Sequence, residues 1–167
     1  VRPTPQAATA APDAAPTTVI GIVLYPGFEV LDVFGPLEMW ANDPAFEVVL
    51  IAESAGDVRS AQGVMVKADV GFADAPALDV LMIPGGVGTM PQLENETLLG
   101  FIRAQDRTTD FTTSVCTGSL LLGAAGLLRG LRATTHWHAA PLLATYGAIS
   151  VRDRVVDHWM DTTRTYY

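Results

Sequence analysis

The stretch Asp110-Phe-Thr-Thr-Ser-Val-Cys-Thr-Gly-Ser-Leu-Leu-Leu-Gly-Ala-Ala-Gly-Leu-Leu128 contains the only cysteine of the chain, Cys116. Residues Phe111 to Val115 are β-branched or aromatic for the most part, which is typical of a short buried strand. After Cys116, leucine and alanine recur at helical spacing, and Gly130 marks an end for that helix. A strand that runs directly into a helix with a potential nucleophile at the junction is a nucleophile elbow. The pattern therefore predicts a strand–turn–helix unit with Cys116 at the turn.

Two interpretations of Cys116 are open on this pattern alone. In an elbow, the N–H groups of Thr117, Gly118 and Ser119 would point at the sulfur, next to the partial positive charge of a helix start. Such a position can lower a thiol pKa from about 8.5 into the range of ~3.5–7.5. The other interpretation is a small buried side chain without chemistry, which is common for a lone cysteine.

The composition narrows the class of protein. The chain has 167 residues, of which 49% are hydrophobic, and this favours one domain with a sizeable core. A net charge of −8 argues against a nucleic-acid partner, and no apolar run reaches the ~20 residues that a membrane span needs. One cysteine allows no disulfide within the chain, and a free thiol fits the reducing cytoplasm best.

The N-terminal segment differs in composition from the rest. Residues 1–18 are rich in Ala, Pro and Thr and have hardly any large apolar side chain, so we expect a flexible arm. This arm leaves a second localisation open, in which the protein is exported and the arm is what remains after a signal peptide is cleaved. Residues 19–167 are predicted to form a single α/β domain.

Apolar runs typical of buried strands alternate with helical patterns along that domain. The predicted strands are Val19–Tyr25, Phe46–Ala52, Leu78–Ile83, Phe111–Val115, Arg132–His136 and Ala148–Val151. Helices are predicted from Val30 to Trp40, with an interruption at Gly35-Pro36, after a cap at Asn95, after Cys116, and from Trp137 to Tyr146. A β-hairpin insert is predicted within Gly56–Lys67, with its turn near Gln62-Gly63. No assignment is made for Val155–Tyr167.

This alternation predicts a mostly parallel central sheet with helices on both faces. In such a sheet, ligands bind at the carboxyl ends of the strands. Pro26-Gly27, Pro84-Gly85-Gly86 and Cys116 all lie at predicted carboxyl ends, so the sequence predicts a site where these segments meet.

The turn Pro84-Gly85-Gly86-Val87-Gly88 is the second candidate feature. Glycines let backbone N–H groups approach a ligand closely, which suits an oxyanion hole. The Lys-Ser/Thr pair of a phosphate-binding loop does not follow. A sharp turn without a binding role is the alternative.

Asp32 is the third candidate, because it lies among apolar residues near a strand end. If its carboxyl group lies within hydrogen-bond distance of Cys116, the two groups cannot both ionise easily and would titrate as a pair. A protonated Asp32 would then be a proton donor. A helix-capping or surface aspartate is the alternative.

His136 and His138 flank Trp137, and either histidine could activate the thiol. A structural or pocket-lining role is the interpretation we favour for them. Three histidines and one cysteine show no metal-ligand spacing, so no metal site is predicted.

Several motifs together resemble the ThiJ/PfpI superfamily, and most closely its isocyanide hydratase branch. They are Leu31-Asp-Val-Phe-Gly-Pro36, Ile83-Pro-Gly-Gly86, Ser114-Val-Cys-Thr-Gly-Ser119, Gly123-Ala-Ala-Gly-Leu-Leu128 and Arg132-Ala-Thr-Thr-His-Trp137. The resemblance extends from about Val19 to Asp157. It implies a flavodoxin-like doubly wound sandwich that forms a homodimer and needs no metal or organic cofactor.

The resemblance also implies roles for individual residues. Cys116 is the implied nucleophile, Asp32 the catalytic acid, and Thr117 a catalytic residue whose hydroxyl and N–H hold the reacting groups. Gly85 and Gly86 are implied backbone donors. Val87, His136 and Trp137 are expected to line the pocket. Protease-like members have a histidine directly after the cysteine, whereas Thr117 stands here, which argues against peptidase activity.

The implied activity is the addition of water to an isocyanide, which gives an N-substituted formamide through a cysteine thioimidate. The expected partners are a small-molecule isocyanide and a second copy of the chain, with no nucleic acid and no membrane. Two other functions are open: an effector-binding sensor domain of an AraC-type transcription regulator, and a cysteine redox or glyoxalase-like stress protein.

Superfamily members continue through a further glycine-rich turn into a long helix. No glycine occurs here after Gly147. We therefore expect either a domain that is incomplete at its C-terminus or an unusual final segment that leaves a sheet face or dimer surface uncovered.

Overall fold

A central, mostly parallel sheet organises the computed structural model, which describes residues 17–160 and 164–166. The predicted arm lies outside these residues, apart from Thr17 and Thr18, and Thr18 begins the first strand. The sheet strands are β1 (Thr18–Val23), β2 (Phe46–Ala52), β5 (Val70–Gly71), β6 (Val80–Ile83), β7 (Phe111–Ser114), β10 (His158–Met160) and β11 (Arg164–Tyr166). The remaining strands, β3 (Gly56–Arg59), β4 (Met65–Ala68), β8 (Arg132–Ala133) and β9 (Ile149–Ser150), lie outside the central sheet.

The strand order is β10-β11-β7-β6-β1-β2-β5. Each neighbouring pair is parallel except β10 and β11, which are antiparallel. β1 lies between β2 and β6, with Ile20 opposite Val48 on one side and Val80 on the other. Because β1, β6 and β7 are parallel neighbours, their carboxyl ends meet at one edge of the sheet.

The helices are α1 (Val30–Ala41), α2 (Thr89–Gln92), α3 (Glu96–Asp106), α4 (Gly118–Ala124) and α5 (Ala140–Leu143). Alternate residues of the strands face opposite sides of the sheet. Thr112 faces α3, where its Oγ1 donates to Asp106 Oδ1 at 2.8 Å. Met82 and Thr113 face a cavity that Met39 and Trp40 of α1 also line. Helices thus lie on both faces of the sheet, and the predicted fold class is confirmed.

The predicted hairpin insert is confirmed as well. β3 and β4 pair antiparallel, with Val58 opposite Val66. Gly63 lies in the turn with φ of +84°, a conformation that glycine adopts without strain.

Two predicted helix boundaries are wrong. α1 continues through Pro36, where an interruption was expected. A proline in a helix interior removes one hydrogen bond and costs about 3 kcal/mol, and the burial of Phe28 and Val33 at the start of α1 favours the helix against that cost. α4 ends at Ala124 instead of extending to Leu128, because Gly126 has φ of +86° and breaks the helical path.

The region after α4 is also less regular than predicted. The expected strand Arg132–His136 is limited to Arg132–Ala133, which pairs with Ile149–Ser150 outside the central sheet. The expected helix from Trp137 is α5 flanked by 3₁₀ turns at 137–139 and 144–146. Gly147 ends it with φ of +77°, as predicted. β10 and β11 lie in the segment left without an assignment.

Within the described residues, no helix is both long and apolar enough to cross a lipid bilayer.

Asn95 provides a test of the local helix signals. Its side-chain oxygen accepts from the N–H groups of Thr97 and Leu98, so it caps α3 as predicted. We expect Asn95→Ala to lower the free energy of unfolding by about 1 kcal/mol, measured by urea titration. Asn95→Ser keeps a capping oxygen and is the matched control. An equal loss of stability in both variants would contradict a capping role.

Candidate active site

Cys116 lies on a strained turn between β7 and α4. Its φ is +56°, and it is the only non-glycine residue with positive φ among the described residues. The turn requires glycine at position 118, since a Cβ there would contact the backbone oxygen of Ile83. The predicted elbow is therefore present, and it holds the cysteine in a conformation that costs about 1–3 kcal/mol.

Three segments converge on the sulfur. Asp32 comes from the first turn of α1, Gly85 from the loop after β6, and Cys116 from the end of β7. The N–H of Gly85 donates to Asp32 Oδ2 at 2.9 Å, and the carboxyl group of Asp32 lies near enough to the Cys116 thiol for each group to shift the pKa of the other. The sequence left open whether Asp32 lies close to Cys116, and the structure places the two side chains together.

The packing around Gly85 leaves no room for a side chain. A Cβ at this position would lie 2.5 Å from the Thr117 nitrogen and 2.8 Å from the Cys116 Cβ. Such contacts are shorter than van der Waals distances, so this residue must be glycine for the loop to approach the elbow. The close approach is what brings the Gly85 N–H within reach of Asp32.

The environment raises the pKa of both groups. Burial raises the pKa of Asp32 most, and the hydrogen bond from Gly85 offsets part of that shift. Burial also raises the pKa of the Cys116 thiol, and the nearby Asp32 carboxylate raises it further. The hydrogen bonds from Thr117 act in the opposite direction and are smaller.

The interpretation in which the elbow lowers the thiol pKa is therefore wrong in direction. Loss of solvation and a neighbouring carboxylate outweigh the donors at the start of a short helix. The environment therefore favours the protonated form of the resting sulfur.

Thr117 belongs to a hydroxyl network that the sequence analysis missed. Its Oγ1 accepts from the Gly86 N–H at 3.0 Å and lies 2.7 Å from Thr89 Oγ1. Thr89 in turn lies 3.0 Å from the hydroxyl of Tyr25, which donates to the Pro84 carbonyl at 2.6 Å. Tyr25 and Thr89 are both buried. Two positions in the sequence could have indicated these residues: Tyr25 lies at the carboxyl end of the first predicted strand, and Thr89 directly follows the glycine-rich turn.

The proposed backbone donors are engaged with side chains. Gly85 donates to Asp32 and Gly86 donates to Thr117, while the Thr117 N–H points at the sulfur. The contribution of the two glycines to oxyanion binding stays a prediction. Their present bonds give them a second role, which is to fix the acid and the threonine beside the cysteine.

The predicted pocket-lining residues separate into two groups. His136 lines the cavity next to Cys116. Val87 and Trp137 do not line that cavity, and their side chains are 77% and 71% exposed. The ring of Trp137 instead lies 3.4 Å, centroid to centroid, from that of His138. Asp32, and neither histidine, is the acidic or basic side chain that shifts the pKa of the sulfur.

A cavity of about 790 Å³ opens at Cys116 and extends along the sheet face that carries Met82 and Thr113. Phe111 and Cys116 both line it, and the strand from Phe111 to Ser114 alone is about 10 Å long. Most of its wall is apolar. Its size is within the range of about 300–1,000 Å³ that is usual for small-molecule sites.

Among the described residues, no group of three or more His, Cys, Asp or Glu side chains could hold a metal ion.

Together these features describe a doubly wound α/β protein with a cysteine at a strained strand-to-helix elbow and an acid beside the sulfur. The chain belongs to the DJ-1/PfpI family, which it matches over residues 18–164. The resemblance to ThiJ/PfpI proteins drawn from the motifs is confirmed.

Two curated relatives differ in function. Isonitrile hydratase from Pseudomonas putida is 49% identical over 137 residues, which is 82% of this chain and 60% of that protein. The HTH-type transcriptional regulator GbdR of Pseudomonas aeruginosa is 38% identical over 80 residues, which is 48% of this chain and 22% of the regulator. The chain thus spans about 60% of the length of the hydratase and a smaller part of the regulator.

Solved structures share the fold. A ThiJ/PfpI family protein from Pseudomonas syringae superposes with a TM-score of 0.82 at 35% identity, over 94% of this chain and 68% of that one. DJ-1beta from Drosophila melanogaster superposes with a TM-score of 0.75 at 19% identity, over 90% of this chain and 81% of that one. The second likeness supports the fold alone.

The Asp32–Cys116 pair predicts a change in thiol titration. Asp32→Asn removes the negative charge that opposes ionisation of the sulfur, so we expect the thiol pKa of the variant to be lower than that of the original protein. The pH dependence of alkylation by iodoacetamide measures this pKa, and the chain has only one cysteine to react.

Glu38→Gln is the control for that experiment, because it removes a carboxylate from the exposed side of the same helix, α1. It should leave the thiol titration unchanged. A pKa that stays the same or rises in Asp32→Asn would contradict the electrostatic coupling of the pair.

Proposed function

We propose that this chain is an isocyanide hydratase-like enzyme that adds water to an isocyanide and releases an N-substituted formamide. The observation that carries the proposal is the pairing of the Asp32 carboxyl group with the thiol of Cys116, which lines a largely apolar cavity. The pair combines a nucleophile with a proton acceptor and donor. The 49% identity to isonitrile hydratase supports the same reaction, since isonitrile and isocyanide name one functional group.

In the first step, the sulfur of Cys116 bonds to the terminal carbon of R–N≡C. The thiol proton passes to Asp32 as the sulfur attacks, and Asp32 delivers that proton to the same carbon. The product is a thioimidate, R–N=CH–S–Cys116. Because the resting thiol is neutral, the acceptor role of Asp32 comes first and its donor role second.

In the second step, water attacks the thioimidate carbon. One water proton is transferred to the nitrogen through Asp32, which gives R–NH–CH(OH)–S–Cys116. The C–S bond then breaks, the hydroxyl proton returns to the sulfur through Asp32, and R–NH–CHO leaves. Overall, one water is added to one isocyanide, and Cys116 and Asp32 end in their starting states.

Thr117 keeps these groups in position. Its N–H points at the sulfur, and its hydroxyl is held by Gly86 and Thr89. A threonine fixed in this way cannot act as the histidine base of a peptidase. Hydration of an isocyanide carbon is consistent with this site, which has Thr117 where protease-like members have a histidine. Assembly of two chains into a homodimer remains a prediction.

An effector-binding sensor is the second candidate, because 80 residues of the chain are similar to the regulator GbdR. In a sensor the pocket would bind a ligand without turning it over. The two functions differ in one measurement, which is whether formamide accumulates beyond one equivalent of protein.

The proposal predicts the effects of two substitutions on conversion of phenyl isocyanide to N-phenylformamide, followed by chromatography. Cys116→Ala should reduce turnover to the uncatalysed rate, since the covalent step is lost. Asp32→Asn should lower kcat by about 10²–10⁴-fold, the usual contribution of a proton-transfer group.

Glu38→Gln, which changes an exposed carboxylate on α1, serves as the control and should keep full activity. Turnover by Cys116→Ala at the rate of the original protein would refute the proposal. Binding of the isocyanide by the original protein with no turnover would favour the sensor instead.

A further inference from the structure

The lining of the cavity differs in charge from the rest of the chain. The sequence has 18 acidic and 10 Lys and Arg residues. Among the described residues that line the cavity, however, none carries a carboxylate, and three are basic: Arg132, His136 and Arg154. An acidic protein therefore presents an apolar cavity with positive charge on its wall.

The backbone of Arg132 lies away from the elbow, and Arg154 is next in sequence to the ion-pair partner of Arg132. Thr135 Oγ1 donates to the Cys116 carbonyl at 3.0 Å, which places that residue at the reactive end. Arg132 precedes Thr135 by three residues of largely extended chain, a distance of roughly 10 Å. Arg132 binds Asp153 at 2.9 Å, and Arg154 directly follows Asp153.

The two arginines also differ in their partners. Asp153 already offsets the charge of Arg132. The structure gives Arg154 no hydrogen bond or ion pair to any side chain in the described part of the chain. Arg154 lines the cavity together with Val155 and Val156, so an apolar wall leads to a cation that has no ion-pair partner among residues 17–160 and 164–166.

We infer that the cavity selects an amphipathic substrate, whose reactive group meets Cys116 and whose apolar body ends in a carboxylate bound by Arg154. This inference rests on the proposed function for the identity of the reactive group. The guanidinium of Arg154 matches a carboxylate through paired N–H donors. Apolar contact with the sheet face holds the body of the substrate, and Arg154 determines which end group is preferred.

The test compares 4-isocyanobenzoate with its neutral analogue, methyl 4-isocyanobenzoate. The original protein should have the higher kcat/KM for the acid. Arg154→Gln should lower kcat/KM for the acid about fivefold, which corresponds to the upper range for a solvent-exposed ion pair. The same substitution should leave kcat/KM for the ester within twofold of its original value. Raising the ionic strength should reduce the preference of the original protein for the acid over the ester, because salt screens the charge of Arg154, and should not change the ratio in Arg154→Gln.

Arg152→Gln is the matched control, since Arg152 is exposed and two residues away but does not line the cavity. This substitution should change kcat/KM for neither the acid nor the ester. The inference would be overturned if the acid-to-ester ratio of kcat/KM were the same in Arg154→Gln as in the original protein, or if it fell equally in Arg152→Gln. Hydration of the ester in the same experiment would leave the proposed function intact.

A binding measurement distinguishes failure of the carboxylate site from failure of the proposed reaction. Calorimetry with 4-formamidobenzoate and 4-formamidobenzamide reports the carboxylate site without any chemistry. Binding of the acid that weakens in Arg154→Gln, in a protein that hydrates neither isocyanide, would support the carboxylate site and refute the proposed reaction. Equal binding of acid and amide by the original protein would overturn the carboxylate site.

Discussion

The hydrogen bond from the Gly85 N–H to the Asp32 carboxyl group is the contact on which the site depends. It joins α1 to the loop after β6, and the same loop lies so close to the Cys116 elbow that only glycine fits at position 85. Asp32 is thereby held against the sulfur. The geometry follows from a parallel sheet, because such a sheet brings the ends of separate strands to one edge.

This arrangement sets the protonation of the site. The carboxyl group and the thiol are both partly buried, and burial raises the pKa of each; the Asp32 carboxylate raises the pKa of the thiol further, whereas the thiol lowers the pKa of Asp32. The donors on Thr117 favour the thiolate, but they do not overcome the loss of solvation. An elbow cysteine therefore need not be a resting thiolate. With an acid beside it, the thiol favours its neutral form.

Local patterns predicted much of the fold. The apolar runs located β1, β2, β6 and β7 to within two residues at each end, and Asn95 marked the start of α3. Errors occurred where tertiary contacts outweighed propensity. Pro36 stayed within α1 despite its cost, and α4 stopped four residues early at a glycine of positive φ. β10 and β11 have no periodic pattern and depend on pairing with each other and with β7.

Apolar period, glycine placement and residue type are local properties, and they were enough to predict the fold class, the elbow and the candidates Cys116 and Asp32, while the motif resemblance added Thr117. Long-range packing was needed to bring Asp32 to the sulfur and to engage Gly85 and Gly86 with side chains. It also brought Tyr25 and Thr89 into the hydroxyl network and left Val87 and Trp137 outside the cavity. It also decided the direction of the thiol pKa. Those outcomes depend on distances between segments up to 84 positions apart in the chain, and burial and Coulomb energy follow distance in space rather than separation in sequence.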